Sequence, residues 1–320
     1  VGSGAFPSLT SIVRQFWRDK GDYPVHLAST SREALIGFVA GNVVAILLAL
    51  CFVLVPLAER LLRGIVVSLF CLPLTVVAPV IGLAYDGTGF HGFAEAEAVP
   101  TVMGVLRDAV ETIVRQPVDL VGAGRTDAGV HGWGQVVSGD IPVTTDLAGL
   151  QRRINKLCGP SIAVRNAEWT ADPEFSARFS AEWRHYRYHV LNSPTPDPFL
   201  AGTAWHVIQP LNLWAMQLAA DPFIGEHDFA AFCRRGPAGS TTMRRVIASA
   251  WRDLGDGVLR YEVTATAFCW QMVRALVGTQ VEAGLGKRRP GAMLSILRGG
   301  DRAAAGALAP PHGLCLWHVA

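Results

Sequence analysis

Hydrophobic and polar positions divide this chain into two textures that meet near residue 80. Upstream, the stretches 34–58 and 64–85 carry no charged residue. Each is long enough to cross a bilayer core of roughly 30 Å as a helix. The pattern predicts a polar, amphipathic lead-in over 1–33, then a membrane-type helix, a charged turn at Glu59, Arg60 and Arg63, and a second apolar segment broken by proline. Arg14, Arg18, Lys20 and Arg32 precede the first span, which places that flank in the cytosol by the positive-inside rule. Two crossings return the chain to the same side. A buried hairpin of soluble helices is the alternative. Downstream the periods shorten. The segments IGLAYDG, VDLVGAG, QVVSGDI, YRYHVLN, VIASAWRDL and VLRYEVTATAF suit strands, whereas TVMGVLRDAVETIV, LAGLQRRINKL, LNLWAMQLAA and QMVRALVGTQVEAGL have helical spacing. Thr101 is the expected N-cap of the first of these helices. That order predicts an α+β architecture of two similar α/β sandwich halves, 81–173 and 174–320, each a mainly antiparallel sheet with helices on one face. Residues 1–80 form a separate hydrophobic helical segment.

Composition sharpens this division. Half of the 320 residues are hydrophobic, high for a soluble enzyme, and the excess lies before residue 80. Net charge is +2, but residues 81–320 hold 22 basic and 22 acidic residues, so global charge does not announce a nucleic-acid partner. Local charge does: 178–298 holds 14 basic against nine acidic residues. Arg178, Arg184, Arg187, Arg234, Arg235, Arg244, Arg245 and the run 287–289 are candidates for phosphate contact. Six cysteines without a CxxC pair argue against a disulfide scaffold or zinc site and for a reducing compartment. The first residue is Val, so a start upstream of it is expected.

The sharpest local signal is Gly124-Arg125-Thr126-Asp127-Ala128-Gly129-Val130-His131. Glycines near both ends allow a tight turn and close approach to a ligand. In an extended loop, Arg125 and Asp127 project to the same side. A carboxylate so placed can be a nucleophile, a general base or a metal ligand. With no second acidic residue or His cluster nearby, a metal is disfavoured.

This string resembles the signature loop of TruA-type tRNA pseudouridine synthases, and other landmarks follow in order. They are Tyr85-Asp86-Gly87-Thr88, Phe175 to Ala181 with Tyr186-Arg187-Tyr188, Gly225-Glu226-His227-Asp228-Phe229, Phe268 to Arg274, and Gly313-Leu314-Cys315-Leu316. The resemblance implies a pseudouridine synthase fold and a cofactor-free, metal-free isomerisation of uridine in the tRNA anticodon stem-loop, at tRNA positions 38–40. It implies Asp127 as nucleophile, Tyr186 stacked on the flipped base, and Arg274 paired with Asp127. Leu314 lies under the uracil and Arg125 holds the nucleotide out of the stem; Arg178, from the basic candidates, is expected to contact the substrate. It further implies a homodimer and a cytoplasmic synthase domain. His91, His131 and His227 are expected to be structural. The chain departs from the family pattern at Gly92-Phe93-Ala94 and in the short acidic loop Glu95 to Ala98.

The first 80 residues resemble part of the membrane subunit of a binding-protein-dependent ABC transporter, in HLASTSREALIGFVAGN and PLAERLLRG. A gene fusion, with membrane association through residues 34–80, is the corresponding expectation. Two other classes of function compete: a permease fragment in which the rest is incidental, and a tRNA-binding protein that has lost catalysis.

Overall fold

The computed structural model describes residues 78–320 apart from 173, 235 and 237–239, and, before them, five helical positions between 36 and 43. Ile36, Phe38, Val39, Asn42 and Val43 are helical and exposed. The expectations of a membrane span and a permease-like fragment lie otherwise outside the described residues. No helix among the described residues is long and apolar enough to cross a membrane. The chain divides into two units, Val1–Thr75 and Val76–Ala320. Every strand among the described residues belongs to the second.

The end of the second uncharged stretch is corrected by the structure. Ala78–Tyr85 is a strand, β1, whose residues alternate between buried and half-buried. A continuous apolar run fits a strand covered on one face as well as it fits a membrane helix, and here the strand begins upstream of Ile81.

After β1 come helix α1 (Val102–Val114), strands β2 (Leu120–Gly122) and β3 (His131–Gly139), helix α2 (Leu147–Cys158) and strand β4 (Ile162–Thr170). Thr101 caps α1 by accepting from the Gly104 amide, and Asp146 caps α2 by accepting from that of Ala148. Each satisfies a donor that the first helical turn leaves free. Leu147, Leu150, Ile154 and Cys158 bury one stripe of α2, joining β1 and α1 in one core with Ile81, Leu83 and Leu106.

The rest comprises β5 (Arg184–Asn192), β6 (Trp205–Val207), helix α3 (Leu213–Ala220), β7 (Gly225–Asp228), β8 (Met243–Asp253), β9 (Val258–Ala265), helices α4 (Met272–Gly284) and α5 (Ala292–Gly299), and β10 (Leu314–Val319). A second core gathers Tyr188, Phe223, Phe229, Phe232 and Tyr261 around α4. That helix is buried on nearly every side, so its polar Gln280 needs partners. It accepts from the Trp251 indole N–H at 2.6 Å and donates to the Leu276 carbonyl at 3.0 Å, avoiding the cost of an unpaired buried amide.

The expectation of two sheets needs correction. The ten strands among the described residues form one sheet, in the order β4-β1-β3-β10-β5-β9-β8-β7, with β2 beside β3 and β6 beside β5. The last strand closes the gap, running parallel to β3 and antiparallel to β5. Neighbouring strands are otherwise antiparallel except β5 and β6. Burial alternates along β9, so one face is packed and the other left polar. On the polar face Arg187, Arg252 and Arg260 converge on Glu262. Arg165 and Arg187 lie over the stacked pair Trp133 and Trp317.

Candidate active site

The loop between β2 and β3 is held from below by buried polar groups. Gln135, fully buried, donates to the Gly124 carbonyl at 2.8 Å. The buried hydroxyls of Tyr85 and Thr126 lie 2.8 Å apart, and the Phe93 amide donates to the Thr126 carbonyl at 3.0 Å. The Val130 amide closes a turn on the Asp127 carbonyl at 3.1 Å. Gly129 takes φ +76° inside that turn, a left-handed conformation costly to a residue with a Cβ. Thr126 thus points into the protein and Asp127 out of it, as alternation along an extended loop requires.

Asp127 faces Arg274, which α4 supplies from its first turn. The guanidinium donates from Nη1 to Asp127 Oδ2 at 3.0 Å and from Nε to the Ala309 carbonyl at 2.8 Å. A cation in a helix's first turn opposes the helix dipole; the carboxylate offsets that cost. Arg274 is 14% exposed at its side chain and Asp127 is 35% exposed. The carboxylate is therefore oriented from one side and open on the other.

That open side is a cleft of about 840 Å³, within the range of sites that enclose a small organic group. Asp127, Tyr186, Arg274, Arg125, Leu314 and Arg178 all line it. They come from β5, α4, β10 and two separate loops, so only the closed sheet brings them together. Tyr186 is buried, with its ring edge-on to Phe268 at 4.9 Å. Burial, and then the Asp127 carboxylate, push its hydroxyl well above the usual tyrosine range. It is a neutral donor at any working pH. Its neighbour Tyr188 is fully buried and donates to the Pro310 carbonyl at 2.8 Å, which makes it a core residue. Leu314, 5% exposed, supplies an apolar surface to the same cleft.

The electrostatics follow from the lining. Arg125, Arg178, Arg184, Arg234 and Arg274 surround a single carboxylate, Asp127. A chain neutral over 81–320 therefore presents a strongly cationic cleft, the footprint that whole-chain charge concealed. Arg125 and Arg178 are exposed there.

Residues 219–320 match the family model described as tRNA pseudouridine synthase. The tRNA pseudouridine synthase A of Corynebacterium glutamicum is 40% identical over 253 residues, covering 74% of this chain and 86% of that one. The enzyme of the same name from Bacillus subtilis is 38% identical over 239 residues, covering 74% and 96%. This chain belongs to the tRNA pseudouridine synthase A family. Among solved structures, a Cbf5–Nop10–Gar1 complex is similar at 14% identity and a TM-score of 0.28, over 63% of this chain and 44% of that one. So distant a likeness carries no argument.

Within this member of the synthase family, several basic candidates turn out to serve elsewhere. Arg184 donates to four backbone carbonyls, those of Ala181, Thr266, Ala123 and Arg178, at 2.8–3.0 Å. It stitches the end of β2 and the segment before β5 to β5 itself and is spent on structure, not free for a phosphate. Arg187 is committed to Glu262 on the polar sheet face and Arg288 to Glu282. Arg235 lies outside the described residues. His131 receives the Gly87 amide on Nδ1 at 3.1 Å and sits 3.0 Å by Nε2 from the Gly202 and His312 carbonyls, a structural histidine. His227 lies 3.0 Å from the Ile224 carbonyl, whereas His91 is exposed at the cleft. No three His, Cys, Asp or Glu side chains cluster for a metal among the described residues.

Sequence spacing gave no sign of two features. Gln135 braces the loop from the strand that follows it and Tyr85 from a strand 41 residues away, and only their polarity at apolar strand positions hinted at it. Cysteine spacing argued against a disulfide scaffold, yet the fold joins Cys233 and Cys269 as a disulfide, with Cα atoms 5.8 Å apart.

Proposed function

We propose that this chain is a tRNA pseudouridine synthase, an isomerase that converts uridine to pseudouridine in tRNA, with Asp127 as its nucleophile. The observation that carries the residue assignment is the Arg274–Asp127 pair in a cationic cleft with no other carboxylate among its described lining residues. A carboxylate in that company is held in one orientation by the charged hydrogen bond from Arg274. The substrate uridine stands in the anticodon stem-loop, at tRNA positions 38–40. It must leave the base stack before any side chain reaches it, at a cost of a few kcal/mol. Arg125 occupies the vacated place and Arg178 contacts the backbone, positioning the RNA without reading bases. The uracil then lies between Tyr186 and Leu314, where an aromatic face returns roughly 1–3 kcal/mol.

Attack of Asp127 at C1′ breaks the bond to N1. The freed uracil turns within the pocket and bonds to C1′ through C5, releasing the carboxylate. C5 loses one proton and N1 gains one, so the reaction balances with no redox partner. Tyr186 serves in that proton transfer through its hydroxyl. The enzyme acts as a homodimer in the cytoplasm.

The test is Asp127→Asn, assayed by pseudouridine mapping on tRNA transcripts in single turnover. Loss of product with tRNA affinity within about threefold of the parent is expected, because a nucleophile's removal deletes a step and not a binding contact. Turnover within about tenfold of the parent rules Asp127 out as nucleophile.

A further inference from the structure

The cysteine pair Cys233–Cys269 lies at the wall of this cleft and plays no part in the chemistry above. Cys269 lines the cleft between Phe268 and Trp270, while Cys233 is 4% exposed and adjoins Arg234, another lining residue. Backbone bonds draw the two segments together: the Arg234 amide donates to the Trp270 carbonyl at 2.9 Å, and the Met272 amide to the Cys269 carbonyl at 3.1 Å. Between them Gln271 holds φ +64° and leads directly into α4, whose third residue is Arg274. The Cα separation of 5.8 Å falls within the span that a disulfide bridges without backbone movement. The 36-residue separation encloses β8 and β9.

The setting also favours reaction at this pair over the other described cysteines. Five guanidiniums surround one carboxylate in the cleft that Cys269 faces, and cationic surroundings favour the thiolate, the reactive form. Cys315 is pushed up to about 12, chiefly by burial, and Cys158 is raised by burial alone. Both remain thiols.

We infer that Cys233 and Cys269 form a redox-modifiable site at the cleft rim, oxidised by peroxide, whose disulfide clamps the Arg234 and Trp270 side of the cleft in its RNA-holding form. The Cys269 thiolate attacks one peroxide oxygen, expelling hydroxide and leaving a sulfenic acid. The Cys233 thiolate then displaces that oxygen as water. Two thiols and one hydrogen peroxide give one disulfide and two waters. The consequence for RNA rests on the proposed function; the chemistry of the pair does not.

The experiment takes the full chain, fully reduced, then treated with a stoichiometric amount of hydrogen peroxide. Peptide mapping without reductant should show a Cys233–Cys269 cross-link as the main product. Trypsin cleavage after Arg234 should slow by about fivefold on oxidation, because a clamped segment opens less often. A tRNA transcript should bind about threefold more tightly to the oxidised form, and reductant should reverse all three changes. Cys158→Ser should leave these responses intact, and Cys233→Ser should abolish them. Should Cys233→Ser fail to fold, the oxidised and reduced parent chains decide the matter between them. Prior oxidation of Cys158 or Cys315, or equal trypsin cleavage in the two states, overturns the inference. Oxidation and slowed cleavage without tRNA binding in either state keep the clamp and contradict the proposed function.

Discussion

Replacing Arg274 by methionine isolates what the ion pair contributes. Methionine keeps most of the aliphatic stem that packs in α4 and removes only the charged fork. Two hydrogen bonds are lost, to Asp127 Oδ2 and to the Ala309 carbonyl. Breaking a fully buried ion pair costs about 3–5 kcal/mol. Here Asp127 is 35% exposed at its side chain and regains water on its open side, so the loss should be about 2 kcal/mol. For a folded unit of this size each kcal/mol lowers Tm by about 2–4 °C. A fall of about 4–8 °C by calorimetry is therefore expected. Catalysis should suffer more. An unanchored carboxylate that drifts by about 1 Å can lose roughly 100-fold in rate, and a single-turnover assay on a tRNA transcript should show that, with Kd within about threefold. An unchanged Tm with a single-turnover rate within about threefold would refute the positioning argument. A Kd weaker by about tenfold at unchanged rate would instead make Arg274 an RNA contact.

Arg184→Lys keeps the charge but cannot reach four carbonyls with one ammonium, so kcat should fall by about tenfold with KM nearly constant, whereas loss of a phosphate contact would raise KM. His189 is held neutral by burial, its pKa lowered to about 4. The unfolded chain takes up that proton near pH 6.5, so from there down to about 4 the unfolded state binds more protons and stability falls as pH falls. The linkage amounts to about 3 kcal/mol at most, and His189→Gln should flatten that part of an acid denaturation curve. Deleting residues 1–75 should leave a folded, active chain, because Val76–Ala320 is a unit of its own. Deleting 1–79 also removes Ala78 and Pro79, which pair with Thr170 and Trp169 of β4, and should cost stability by thermal melt; equal melting of the two truncations would show that this pairing contributes nothing.

Much of the candidate site could be read from the chain because the loop that carries Asp127 is local. Gly124 to His131 encodes its own turn through Gly129 and alternates Thr126 inward with Asp127 outward. Helix caps were equally legible at Thr101, since the hydroxyl that accepts the Gly104 amide is three residues away. Local geometry needs only neighbours, and neighbours are what a sequence prints. The ten-stranded sheet was not legible, because β10 finds β3 and β5 across most of the second unit and its six residues carry no signal of which edges they will join. Charge was misleading for a related reason. Arginines that look alike in the sequence separate into those the fold spends, Arg184 on carbonyls and Arg187 on Glu262, and those it leaves exposed in the cleft, Arg125 and Arg178. The residue types and their local turns belong to the sequence. Which side chains meet, and so which charges remain free to meet a phosphate, was decided by the tertiary structure, because burial and partnership depend on contacts between segments far apart in the chain.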